Sequence, residues 1–259
     1  MQILLACAKT MHDEVKTNLL LTPPRFQQQA ERFAHDMMQY DVETIADMLC
    51  CSHQIAAQNK LRFMSFFDED KQKLPAILAY HGQAYKHLKA ETLNEDDLHY
   101  ANKHLWITSF LYGLLRPLNG ILPYRMEGGV ALPSADGITM FDFWKAHLTE
   151  CLIESVKADD GILIHLATVE FQHLFDWKRV SKELRVVQPL FYVRKGNQLK
   201  MQAVWAKTCR GAMTRYIITH RITTPEELCA FSYENFQFAS NAGEADFPGL
   251  SGGRCHLSL

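Results

Sequence analysis

The chain has 259 residues, 47% of them hydrophobic, with 27 Lys plus Arg set against 29 Asp plus Glu for a formal net charge of −2. Such a balance fits one globular domain over residues 1–259, with a core large enough to need no disulfide or metal staple. It excludes a partner recruited by bulk charge: a polyanion would have to meet basic residues gathered locally, because the global field is slightly repulsive.

The opening M-Q-I-L-L-A-C-A-K-T carries an apolar run too short for the central region of a signal peptide, with no positive charge before it. Residues 2–7 therefore read as a first buried strand that enters a polar loop at Lys9-Thr10. Pro23-Pro24 open a helix to about Met38, and two further helices are predicted at 41–50 and 53–66. These two suggest a helix-hairpin-helix, which presents the second helix's N-terminus to a DNA phosphate without reading bases. Ser52 is a good N-cap there, and Lys60 and Arg62 lie on the second helix, but Cys50-Cys51 stand where a glycine is usual. An ordinary helical pair in the core fits the same pattern.

Residues 77–80 read as a second short strand. Thr92-x-x-Glu95 reads as a capping box before a helix in which Leu98, Ala101, Leu105, Thr108 and Tyr112 recur at helical spacing, stopped by Gly113 and Pro117. The next segment interleaves Tyr112, Arg116, Tyr124 and Arg125 along a Gly- and Pro-punctuated stretch, a composition suited to stacked bases and phosphates. Packed tyrosines, with Arg125 paired to Glu127, suit it equally.

A helix follows at 141–156, then strands at 161–167, 185–194 and 199–206, the last two joined by a turn at 195–198 with Gly-Asn at its centre. A final helix is predicted at 207–222. On its wheel Lys207, Arg210, Thr214 and Arg221 share one face, Cys209, Ala212, Met213 and Tyr216 take the other, and Arg215 projects to the side. Lys207 falls near that helix's N-terminus, where free N–H groups favour an anion; a solvated basic face explains the pattern as well. Strands and helices are interspersed without strict alternation, so the fold class is α+β. The Gly-rich stretch from about 244 to 259 reads as a loose tail.

Seven cysteines, odd in number and without a C-x-x-C pair, read as free thiols in a reducing, cytoplasmic compartment. No stretch approaches the roughly 20 apolar residues of a membrane span. Glu170-x-x-His173 has the spacing of half a di-iron site, yet its second half is missing, so neither metal nor cofactor is expected. No G-x-S-x-G, Walker loop or dinucleotide fingerprint occurs, and no catalytic residue is assigned.

Taken together, the segments resemble the YaaA family of bacterial peroxide-stress proteins. Its opening S-P-A-K-T stands here as Ala6-Cys7-Ala8-Lys9-Thr10, and its G-x-x-Y-x-x-L-x-A-E as Gly82, Tyr85, Leu88, Ala90 and Glu91. Its L-Y-G-x-L-R-P-L and P-Y-R-x-E are matched by 111–118 and 123–127, its F-W by Phe143-Trp144, its N-L-A-S-x-E-Y by 165–171, and its A-K-x-A-R-G-x-M-x-R by 206–215. The matches keep their order from residue 3 to about 238. Departures fall at Ala6-Cys7, which replace Ser-Pro, at Gln54, where the hairpin's second helix usually carries a basic residue, and in the Gly/Ser-rich ending.

The resemblance implies a cytoplasmic peroxide-stress protein with a family-specific single-domain fold. It further implies a basic cleft that binds DNA, duplex or distorted and without sequence preference, and a part in keeping unincorporated iron low. The nucleic-acid-binding set is then Lys9, Arg62, Tyr112, Arg116, Tyr124, Arg125, Lys207, Arg210 and Arg215. The alternative is an enzyme acting on a nucleotide or other anionic small molecule in the same cleft, with Lys9 and Glu127 as first candidates for chemistry. Shape separates the two: a shallow stripe favours DNA, and a deep pocket closing on Lys9 and Arg210 favours a small ligand.

Overall fold

Strand β1 (Gln2–Leu5) is buried on both faces, as an uninterrupted apolar run demands, and lies at the centre of the main sheet. The computed structural model describes residues 1–195, 198–238 and 256–258. After β1 come helices α1 (Gln27–Gln39), α2 (Val42–Met48) and α3 (His53–Met64), the short strand β2 (Leu74–Pro75) and the single turn α4 (Ala76–Ala79). Helices α5 (Gln83–Leu88) and α6 (Glu95–His104) lead into strands β3 (Leu105–Ser109), β4 (Gly113–Leu115) and β5 (Gly120–Ile121). The long helix α7 (Met140–Lys157) precedes β6 (Ile162–His165), α8 (Trp177–Glu183) and β7 (Arg185–Val187). Then follow β8 (Leu190–Lys195), β9 (Gln198–Lys200), α9 (Ala203–His220), β10 (Ser232–Tyr233), β11 (Phe236–Phe238) and β12 (His256–Ser258).

The main sheet runs β4-β3-β1-β6-β7 and is mixed. β1 pairs in parallel with β3 (Ile3 opposite Leu105) and with β6 (Ile3 opposite Ile164), β7 extends it in parallel, and only β4 runs antiparallel. A second five-stranded sheet, β10-β11-β12-β8-β9, lies outside it. The α+β class is as expected. Trp144 on α7, fully buried, donates its indole N–H to the Phe110 carbonyl at 2.8 Å and packs where Gly113, at φ +73, leaves no Cβ in the way. Among the described residues no helix is long and apolar enough to cross a membrane.

Several expected elements differ. The helix expected after Thr92 ends at His104, and its N-cap is Asn94, whose side chain accepts from the Asp97 N–H at 2.8 Å. Leu105–Ser109 instead form β3, buried at every position, so no alternation marks it as a strand. Residues 77–80 are helical through Ala79 rather than extended, and Tyr80 makes only an isolated bridge to Met11. The strand expected at 185–194 is broken before Pro189, which has no N–H for a ladder: β7 stays in the main sheet and β8 joins the second. The expected strand at 199–206 ends at Lys200, and α9 begins at Ala203, so Lys207 lies a full turn inside the helix. β8 and β9 form the expected hairpin, its turn residues 196 and 197 lying outside the described residues. Of the expected loose tail, 256–258 form β12 beside β8, and the remainder lies outside the described residues.

The pair α2–α3 fills the span predicted for two helices. Asp41 caps the first and Ser52 the second, and Cys50 at φ 45 makes the turn between them. Asn59 of α3 clamps the backbone of Arg125, accepting its N–H at 2.8 Å and donating to its carbonyl at 3.0 Å.

Candidate functional site

Parallel strands place their carboxyl ends along one edge of a sheet, where the chain must leave and where ligands of open α/β sheets gather. Here the segment after β1 (Ala6 to Thr10), Phe110 after β3, and Leu166 to Phe171 after β6 line one recess of about 310 Å3. The stretch Tyr124 to Glu127 forms another wall, and α9 closes it with Lys207 and Arg210. Close approach makes the shape possible. A Cβ on Gly211 would overlap the Ala84 carbonyl, so α9 seats directly on α5, and a Cβ on Gly82 would sit 2.9 Å from Ala8 Cβ.

Four cations meet two carboxylates in this recess. Lys9 Nζ contacts Glu127 Oε2 at 2.8 Å, and Arg125 Nη2 contacts Glu127 Oε1 at 3.0 Å. Glu170 lines the same space and is exposed, and so is Lys207. Arg210 is different: the residue is only 9% exposed, yet no hydrogen bond or ion pair ties its guanidinium to any described residue. Burial lowers its pKa from the usual arginine value. Arg125 Nε and Thr168 Oγ1 are also buried without a hydrogen-bond partner. Unspent donors on a cavity wall are what an incoming acceptor would use.

Behind the recess, Tyr124 shares hydrogen bonds with Tyr80 (2.8 Å) and Ser109 (2.6 Å), and Tyr85 donates to the Ala6 carbonyl at 3.0 Å. Burial lifts all three phenols well above their ordinary range. The Cys7 thiol is pushed up to about 12 by burial, helped by Glu127 and Glu170. His165, 1% exposed against the Trp177 ring with neither nitrogen partnered, is pushed down to about 3 by burial and then by Arg210. These groups stay neutral near pH 7.

Of the nine residues expected to bind nucleic acid, Lys9, Tyr124, Arg125, Lys207 and Arg210 come together here, although Tyr124 is buried and spent on its own bonds. The other four do not. Arg62 pairs with Asp13 at 2.8 Å. Tyr112 is 1% exposed, its hydroxyl accepting from the Leu122 N–H, so it has no face to stack on a base. Arg116 lies 3.4 Å from the centroid of the Trp106 ring and donates to Leu105 O and Ser155 Oγ. Arg215 donates to the carbonyls of Leu88 and Lys89, closing the end of α5. The expected solvated basic face of the last helix is also corrected: Arg210 and Thr214 are buried, and Arg221 caps α9 while pairing with Asp97. Thr168 and Phe110, which no motif chemistry singles out, do line the recess. Among the described residues no group of three or more His, Cys, Asp or Glu is placed to hold a metal ion.

A family model described as Peroxide stress protein YaaA matches residues 1–242. A UPF0246 protein of Bacteroides fragilis is 46% identical over 239 residues, covering 92% of this chain and 93% of its own. One from Phocaeicola vulgatus is 46% identical, covering 92% and 94%, and one from Porphyromonas gingivalis is 42% identical over 241 residues, again covering 92% and 94%.

Proposed function

The chain belongs to the peroxide stress protein YaaA family, and on that premise we propose that its recess binds a nucleotide phosphate, within DNA or as a free nucleotide. One observation carries the reading: Arg210 is a buried guanidinium on the recess wall with no carboxylate beside it among the described residues. Removing such a charge from water costs several kcal/mol unless something anionic offsets it. A phosphate fits the planar fork of arginine, and Lys207 one turn away on the same helix adds a second charge. The volume suits one nucleotide unit rather than a length of duplex. Phe110 and Phe171 line the recess but are buried and stacked on each other, ring centroids 5.1 Å apart, so the base is not held by stacking on them.

DNA is favoured as the source by the pair α2–α3. Its Asn59 holds the Arg125 backbone, so a helix-hairpin-helix contact to the strand and the recess would act as one surface. Binding would be sequence-tolerant, in the cytoplasm. An enzyme acting on a free nucleotide is favoured by the contact of Lys9 with Glu127. Limiting unincorporated iron would follow from what the recess binds, not from iron ligation.

The test is to titrate wild type and Arg210→Gln with a labelled short duplex and with a nucleoside monophosphate, each at two salt concentrations. Arg210→Gln is expected to weaken whichever ligand binds by tenfold or more. If that ligand is duplex, the slope of log K against log salt falls by about one. Affinity for the duplex alone assigns the site to DNA, and affinity for the mononucleotide alone assigns it to a free ligand. Binding of neither, or binding indifferent to Arg210, overturns the proposal.

A further inference from the structure

We infer that the recess has two unlike ends and that Glu127, assisted by Glu170, selects a ligand carrying hydrogen-bond donors on its body as well as a phosphate at its tip. This rests on the phosphate reading of the site. The observation behind it is how the four cations are distributed. Lys9 and Arg125 are both engaged by one carboxylate, Glu127, at 2.8 and 3.0 Å, so two of the four charges are already answered. The unanswered pair, Lys207 and Arg210, is on α9, and no carboxylate lies within ion-pair distance of either among the described residues. The recess therefore divides into a cationic end at α9 and a charge-balanced, carboxylate-bearing end where Glu127 and Glu170 stand with the already engaged Lys9 and Arg125.

Both carboxylates line the recess, and neither makes an ion pair with Arg210 among the described residues. A carboxylate-bearing end whose cations are already engaged works against a simple anion-binding role. A bare phosphate would meet repulsion from Glu127 and Glu170 and would have to draw Lys9 and Arg125 away from their partner. A nucleoside phosphate avoids both costs. Its phosphate reaches Arg210 and Lys207, while sugar hydroxyls or base amino groups donate to the carboxylates, a charge-assisted bond that a bare anion cannot make. Discrimination of this kind comes from rejecting the wrong ligand as much as from holding the right one.

Affinities for inorganic phosphate and for 2′-deoxyadenosine 5′-monophosphate, measured calorimetrically with wild type, Glu127→Gln, Glu170→Gln and Arg210→Gln, test this. Glu127→Gln is expected to tighten inorganic phosphate, by releasing Lys9 and Arg125, and to cut the preference for the nucleotide about tenfold. Glu170→Gln, at an exposed carboxylate without an ion pair, shifts the preference the same way by about threefold and reports on the site even if Glu127→Gln folds poorly. Arg210→Gln weakens both probes together and leaves the preference unchanged. If Arg210→Gln weakens neither probe, the phosphate reading itself falls. If it weakens both while both Glu variants keep the wild-type preference within twofold, or phosphate fails to bind Glu127→Gln more tightly, the selector inference alone is overturned.

Discussion

Arg116 and Arg210 are two guanidiniums drawn out of water, and the protein treats them in opposite ways. Arg116 lies flat over Trp106 and spends its N–H groups on a backbone carbonyl and a serine hydroxyl, and burial brings its pKa down to about 10. Arg210 has a cavity on one side and no protein acceptor for its N–H groups among the described residues. A cation whose donors are all used inside the protein is part of the fold. One whose donors are left over carries a desolvation cost that no partner inside the fold offsets, which is the ground of the proposed phosphate site.

Substituting both arginines is the most direct way to break this contrast. Arg116→Ala removes a ring contact and two hydrogen bonds and leaves a gap against Trp106, which should lower unfolding stability by about 3 kcal/mol. Urea denaturation measures it, and a loss under about 1 kcal/mol would mean that Arg116 is not structural. A middle-sized effect is expected from acid. His165 is held neutral with a pKa near 3, against about 6.5 for an unfolded histidine. The unfolded chain therefore takes up a proton that the folded one refuses, so stability falls as pH drops below about 6.5 towards 3, by roughly 2.7 kcal/mol at pH 4.5. Replacing His165 with Leu should flatten that limb of the stability curve. If the variant keeps the full acid dependence, a group other than His165 is responsible for it. The smallest effect belongs to Arg210→Met, which should leave stability unchanged or raise it by up to about 1 kcal/mol while ligand binding is lost. Thermal melts of the two arginine variants side by side, both strongly destabilised, would erase the distinction.

Much of the fold was legible because apolar spacing carried it: β1, α7 and α9 stand within a few residues of their expected places. β3 was hidden because burial on both faces erases the alternation that marks a strand, and because it follows α6 without a turn. Side-chain chemistry was legible too, but not its destination. Lys9, Arg125, Lys207 and Arg210 look no different in sequence from Arg116 and Arg215. What separates them is a partner far away along the chain, such as Ser155 for Arg116 or Leu88 for Arg215, 127 residues distant. The pairing of Lys9 with Glu127 spans 118 residues, and no local pattern announces it.

The thiols around the recess bear on life under oxidant. Cys7 on its wall and Cys209 beside Arg210 both have pKa values pushed up to about 12, by burial first and then by nearby carboxylates. At neutral pH such a thiol is almost wholly protonated, and it is the thiolate that peroxide attacks. Oxidation at these two positions is correspondingly disfavoured, on the recess wall at Cys7 and inside α9 at Cys209. In this member of the peroxide stress family, both thiols are thus held in the protonated form that peroxide attacks least.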